Sequence, residues 1–166
     1  QLLRLSQADN LVLRRDEIAD LAAVARGVAE QLAPFALKEG KSISLAQGPS
    51  VLVHGNADFL ALALRNLAEN ALAHTPRGET VEIVTGPGAR ISVIDKGPGV
   101  GPEDEARIFE RFFRARPEGY KGAGLGLSIA RRIAMIHGGD IEIGREAGKG
   151  AVFTIRLPEL PHPPPM

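Results

Sequence analysis

At 166 residues and 44% hydrophobic content, the chain is the size of one domain built round a single core. Its 20 Lys and Arg balance its 20 Asp and Glu, so no bulk positive field draws it to nucleic acid, and the lack of cysteine excludes disulfides and thiolate metal sites. No apolar run approaches the roughly 20 residues of a membrane-spanning helix. The start at Gln1, without a signal pattern, reads as a piece of something longer.

In chain order, "QLLRLSQAD" (1–9) sets Leu2, Leu3 and Leu5 on one side and reads as the tail of a helix. Residues 17–40 carry apolar residues at helical spacing and end at Gly40. "SISL" (42–45) and "VLVHG" (51–55) are short strand-like runs, the second buried or at an edge. Residues 56–76 predict a long helix with Asn56 as N-cap, Asp58 in the first turn and Pro76 past the end. "TVEIVTG" and "ARISVID" flank the turn "GPGA", a hairpin; "DIEIGREAGKGAVFTIRLP" predicts a second, with "EAGKGA" as its loop. Between the hairpins fall a short helix over "PEDEARIFERFF", the loop "RARPEGYKGAG" and a helix from about Leu125 to His137. The proline-rich end is expected to be a loose tail. Strand pairs alternating with helices predict one mixed sheet covered by helices on one face.

Three polar features stand out. Asn66, Asn70 and His74 are spaced four apart beside an apolar face of Leu60, Leu64, Leu67 and Ala71. That stripe reads either as a solvated, side-chain-bonded helix edge or as neutral amide oxygens completing the shell of a magnesium ion held by phosphates. Asp95 ends the strand of Ile91 and Val93 and precedes Gly97, Gly99 and Gly101. It is either a turn cap or a buried carboxylate awaiting a donor such as a purine amine. Finally, "KGAGLGLSIARR" (121–132) places three glycines at a helix mouth. It is no P-loop, since Leu127 rather than Lys follows Gly126, and no dinucleotide fingerprint, since it follows a polar loop rather than a strand. Open amides at a helix N-terminus that bind oxyanions remain the physical reading.

Taken in order, "NLAENALAHTP", "DKGPGVG", "IFERFFRA" and "GAGLGLSIA" resemble the N, G1, F and G2 boxes of the sensor histidine kinase catalytic domain, and "GGDIEIGREAGKGAVFTIRLP" resembles its closing hairpin. The resemblance covers roughly residues 11–158. It implies the α+β Bergerat (GHKL) fold: a two-layer sandwich, a mixed five-stranded sheet on about three helices, with a mobile ATP lid near residues 96–122. Residues 1–10 would be the stub of a preceding dimerisation helix and 159–166 a disordered tail.

Carried onto this chain, the resemblance implies that Asn70 coordinates magnesium bridging the ATP phosphates, with Asn66 in support. Asp95 would accept the adenine amino group, and Gly97 and Gly99 would make room for the base. Gly122, Gly124 and Gly126, with Lys121, Ala123, Leu125 and Leu127 around them, would present amides to the phosphates. Phe109, Phe112 and Phe113 would dock the lid, with Arg111 and Arg114 as candidates for phosphate or partner contacts. Ala73 stands where many relatives carry lysine, His74 matches the aromatic or histidine position after it, and Ala123 and Ala151 stand where threonine is frequent.

The hydrolytic cousins place a glutamate base where Asn66 sits, and an amide cannot take that proton, so transfer to another group is favoured over attack by water. No "HELRTP"-like acceptor motif occurs, and none of His54, His74, His137 and His162 suits the role. The resemblance therefore implies phosphoryl transfer from Mg-ATP to a histidine on a separate dimerisation domain, and a response regulator downstream. It further implies a monomeric isolated domain and a homodimeric parent whose cytoplasmic part this would be, anchored in the bacterial inner membrane. The alternatives are a GHKL-type ATPase or serine kinase, or a nucleotide-binding module without catalysis.

Overall fold

The computed structural model describes residues 16–115 and 124–161. The chain opens with β1 (Ile18–Asp20), which runs directly into α1 (Leu21–Lys38). Residues 18–20 were expected to begin the helix. Asp20 decides otherwise: its side chain accepts the Ala22 amide, and its own backbone is extended, as an N-cap requires. β1 pairs antiparallel with β3 (Leu52–His54), so the "VLVHG" run forms a separate two-stranded ribbon rather than joining the main sheet.

The main sheet contains β2 (Ser42–Ala46), β4 (Thr80–Thr85), β5 (Arg90–Ile94), β6 (Asp140–Arg145) and β7 (Ala151–Arg156) in the order β2-β4-β5-β7-β6. Only the β2–β4 pair is parallel, which makes the sheet mixed, as expected. Both hairpins stand where alternation and turn residues put them. Val81, Ile83, Ile91, Val93, Phe153 and Ile155 project to one face and are buried. The opposite face is polar, with Ser92 bonded to Thr154 across β5 and β7 at 2.8 Å.

The buried face is covered by α1, by α2 (Ala57–His74) and by α4 (Gly126–Ile136). Leu60, Leu64, Leu67 and Ala71 of α2 meet Ile129 and Ile133 of α4 and Val28 and Leu32 of α1 in one continuous core. Each such side chain contributes about 1.5–3 kcal/mol by leaving water. Asn56 caps α2 by accepting the Phe59 amide on its side-chain Oδ1, 3.0 Å, with Asp58 in the first turn.

The short helix between the hairpins is shorter than its sequence pattern. α3 spans only Pro102–Glu105, with Pro at its start and three acidic residues in its first turn. The chain continues in hydrogen-bonded turns, and Phe112 stands at φ 65, a left-handed backbone that no helix admits. Arg111 and Arg114 therefore lie beyond the helix. The expected helix stub at residues 1–10, Lys121–Ala123 and the end of the tail lie outside the described residues. Glu159 accepts the Ala89 amide at 3.3 Å, which seats the start of the tail against the β4–β5 turn.

Candidate active site

A cavity of about 270 Å³ opens between the C-terminal half of α2 and the ends of β5 and β7. Asn70 and His74 line it from α2, Asp95 from the end of β5, and Ala151 and Phe153 from β7. Pro98, Gly99, Val100 and Gly101 form its rim, with Glu103, Asp104, Ile108 and Ala115 beyond. Three of the residues singled out on the sequence, Asn70, His74 and Asp95, thus share one wall although 25 positions separate Asn70 from Asp95 along the chain.

Asp95 is 3% exposed, and its Oδ1 accepts two backbone amides, Gly97 and Ala151, each at 2.9 Å. Its Oδ2 makes no hydrogen bond among the described residues, and Asp95 lines the cavity wall. Burial pushes this carboxyl above its usual range, while the two amides and the nearby His74 pull it back down. The result is a carboxylate fixed through Oδ1 on the cavity wall.

One side-chain bond and two close approaches allowed by glycine hold it there. Thr75, buried after the last turn of α2, accepts the Lys96 amide at 3.1 Å. A Cβ on Gly97 would lie 2.6 Å from the His74 carbonyl oxygen, so glycine is what allows β5 to close onto the end of α2. A Cβ on Gly150 would lie 2.0 Å from Asp95 Oδ1, so the β6–β7 turn reaches the carboxylate only because residue 150 has no side chain. Gly99 takes φ 76, a left-handed conformation that costs glycine little. Thr75 and Gly150 were not among the residues chosen from the sequence. The "GKGA" turn read there only as a hairpin loop.

One helical turn before Asn70, the Asn66 side chain is 4% exposed and donates from Nδ2 to the Leu62 carbonyl at 3.0 Å. It does not line the cavity. A Cβ on Gly126 would lie 3.2 Å from Asn66 Oδ1, so Asn66 marks the place where the N-terminus of α4 packs on α2. That N-terminus has no side-chain cap and no acidic residue in its first turn, leaving its first amides open to an anion. Leu125 is buried in the core and Leu127 packs against it, so only their backbones can face a ligand. Gly124, at φ 72, accepts the Phe112 amide at 2.9 Å, and a Cβ on it would lie 2.9 Å from the Phe112 carbonyl carbon. Of the three aromatics, Phe109 packs edge-on against Phe153 of the core, whereas Phe112 is exposed and Phe113 stacks under Arg107. Arg114 is exposed and off the cavity wall. Glu69 pairs with Arg65 at 2.8 Å and is likewise absent from the wall, leaving it no access to the cavity as a base.

Residues 55–161 match the family described as histidine kinase-, DNA gyrase B-, and HSP90-like ATPase. The chain belongs to that ATPase family. It is 44% identical over 114 residues to the sensor-like histidine kinase SenX3 of Mycobacterium tuberculosis, a match covering 65% of this chain and 28% of SenX3. It is 36% identical over 165 residues to the sensor protein kinase PmrB of Pseudomonas aeruginosa, covering 96% of this chain and 34% of PmrB. The chain thus spans about a third of these curated relatives. Among solved structures, the mycobacterial sensor histidine kinase MprB superposes with a TM-score of 0.74 at 28% identity, covering 88% of this chain and 99% of that one. Full-length ShkA, in complex with AMPPNP, superposes at 0.71 with 32% identity, covering 92% of this chain and 33% of that one. The five-stranded mixed sheet on helices is the fold of histidine kinase ATP-binding domains, and ATP is the ligand that membership of this ATPase family supports.

Among the described residues, no group of three His, Asp or Glu side chains could hold a metal alone. Asn70, a neutral oxygen ligand on the cavity wall, suits a magnesium ion whose remaining shell is phosphate and water. Asn66, bonded to its own helix, suits a supporting place behind it.

Proposed function

We propose that this chain is the ATP-binding catalytic domain of a two-component sensor histidine kinase. It would position Mg-ATP so that the γ-phosphate passes to a histidine on a dimerisation domain outside this sequence, from which a response regulator would be served. The observation that carries the reading is the single wall on which Asp95, Asn70 and His74 converge, with the uncapped α4 N-terminus packed on Asn66, one helical turn before Asn70. Oδ2 of Asp95 would accept the adenine amine; guanine presents an oxygen there and would be rejected. Asn70 would hold the ion, and the amides of Gly126 and its neighbours would take phosphate oxygens. Magnesium, when bound, neutralises charge on the phosphates during transfer.

Phosphoryl transfer rests on positioning and electrostatics, both of which this wall supplies. Transfer rather than hydrolysis is supported by the chemistry of residue 66, an amide already spent on Leu62, and by the pairing of Glu69 with Arg65. Neither can activate water. No helix among the described residues is long and apolar enough to cross a membrane. We place the domain on the cytoplasmic side of a membrane-anchored parent, where ATP is found.

Mixing the chain with a separately made dimerisation domain and γ-labelled ATP tests the proposal. Label on histidine is the expected result. Free phosphate without labelled protein would make the chain an ATPase, and nucleotide binding with neither product would make it a binding module.

A further inference from the structure

The orientation of Asp95 depends on two separate stretches of backbone, the loop 97–101 through the Gly97 amide and the start of β7 through the Ala151 amide. The β7 side is well anchored. Asp95 and its strand exchange backbone bonds with Gly150 and Ala151, and Lys149 ties the turn to β4 through Glu82 at 3.5 Å and to Glu146 at 3.3 Å. On the loop side, Thr75 holds the Lys96 amide and Gly97 packs on the His74 carbonyl, but the rim beyond Gly97 has little to hold it. Among the described residues a single hydrogen bond reaches Pro98, Gly99 or Val100, and it comes from Arg145, whose Nη2 donates to the Val100 carbonyl.

Arg145 is the last residue of β6 and stands directly opposite Ala151 in the β6–β7 register. Its guanidinium also lies over Gly99, with Nε 3.8 Å from where a Cβ would be. One hairpin end therefore acts on the carboxylate in two ways: Ala151 grips Asp95 directly, and Arg145 holds the glycine loop at the same strand end through the Val100 carbonyl.

We propose that Arg145 is a positioning residue for the nucleotide pocket, holding the 97–101 loop so that Asp95 presents its free oxygen to the base. The proposal rests on the reading of Asp95 as the adenine acceptor. Arginine suits the task because a charge-assisted bond to a carbonyl is stronger than a neutral one. Without it, Pro98–Val100 lose their tie, the rim of the cavity loosens, and one of the two donors that aim the carboxylate moves with it.

The test is titration of the full chain with a fluorescent adenine nucleotide and magnesium, for wild type, Arg145→Ala, Arg145→Lys, Asp95→Asn and the Arg145→Ala/Asp95→Asn double variant, with thermal melts alongside. Arg145 is exposed, so melting temperatures should stay near wild type; Arg145→Gln serves if the alanine variant does not fold. The expected result is a loss of about three- to ten-fold in affinity for Arg145→Ala, largely restored by lysine. That loss should shrink to within about two-fold on the Asp95→Asn background, because the carboxylate it positions is gone. Wild-type affinity in Arg145→Ala would overturn the proposal, as would an equal loss on both backgrounds. Unchanged affinity in Asp95→Asn alone would instead remove the base-reading role and this proposal with it.

Discussion

At the scale of the residue, Asp95 carries the most. Its Oδ1 is already saturated by two amides, so the group's business with a ligand falls to Oδ2. Asp95→Asn keeps an oxygen for the Gly97 and Ala151 amides and removes a buried charge, while turning an acceptor toward the base into a donor. Affinity for adenine nucleotides should fall at least about ten-fold, since a hydrogen bond to a charged group contributes about 1.5–3 kcal/mol. The fold should not suffer. Because burial raises the folded carboxyl above 3.8, the folded chain keeps a proton that the unfolded chain has released. Asp95 therefore costs stability as pH rises through that interval, and the asparagine variant should melt no lower than wild type at neutral pH. A melt well below wild type would mean that the carboxylate holds the fold rather than the base. Gly150→Ala tests the seat from the other side. A methyl group 2.0 Å from Oδ1 cannot be accommodated in place, so β7 or Asp95 must move. Nucleotide affinity should fall as far as in Asp95→Asn, and an alanine variant binding as wild type would remove Gly150 from the site.

At the scale of the element, His137 joins two helices. Its Nδ1 meets the Ile133 carbonyl at 2.7 Å, so that nitrogen carries the proton, and Nε2 accepts the Asn56 amide at the N-cap of α2, 3.2 Å away. Gly55 makes the approach possible, since a Cβ there would lie 2.3 Å from the ring. Burial lowers the imidazole below 6.5, with Ile133 and Glu17 opposing the shift. The sign follows: below about pH 6.5 the unfolded chain takes up a proton that the folded chain refuses, so this contribution is complete above that pH and is lost as pH falls. His137→Ala should lower stability by about 1–3 kcal/mol and flatten the acid slope of the melting temperature near pH 6. An unchanged slope would assign the acid sensitivity to other groups. The sequence shows His137 as a helix end before two glycines; the partner 81 positions upstream is visible only in three dimensions. Elements of local origin were legible, among them both hairpins, the Asn56 cap and the α2 stripe. β1 was not, because Ile18, Leu21 and Ala22 also fit a helical face. α3 was overrun because "EARIFERFF" has helical spacing and the left-handed turn at Phe112 has no glycine to announce it.

At the scale of the whole molecule, the cavity lies where the layers meet, between α2 and the ends of β5 and β7, and α4 packs on α2 at Asn66, one helical turn from the cavity wall. Two of the ordered motifs pointed to this place from sequence alone, since "NLAENALAHTP" ends α2 and "DKGPGVG" follows β5, and both border it. What stayed hidden was the packing that makes the boxes meet: Gly97 against His74, Gly126 against Asn66 and Gly150 against Asp95 are contacts between residues 23, 60 and 55 positions apart. A ligand bound there touches both layers, so it should stabilise the fold as a unit rather than one loop. Binding to the folded state alone adds about 2.7 kcal/mol at a ligand concentration 100 times Kd, which for a domain of this size is a rise of about 5–10 °C in melting temperature. Mg-ATP should produce that rise, ATP with a chelator much less, and GTP almost none. Asn70→Ala should reduce the Mg-ATP shift to that seen with the chelator while leaving the melt of the free protein within about 2 °C of wild type, since Asn70 is only half-buried and caps no helix. A full magnesium-dependent shift in Asn70→Ala would mean that the ion is held elsewhere, and equal shifts with ATP and GTP would mean that Asp95 does not read the base.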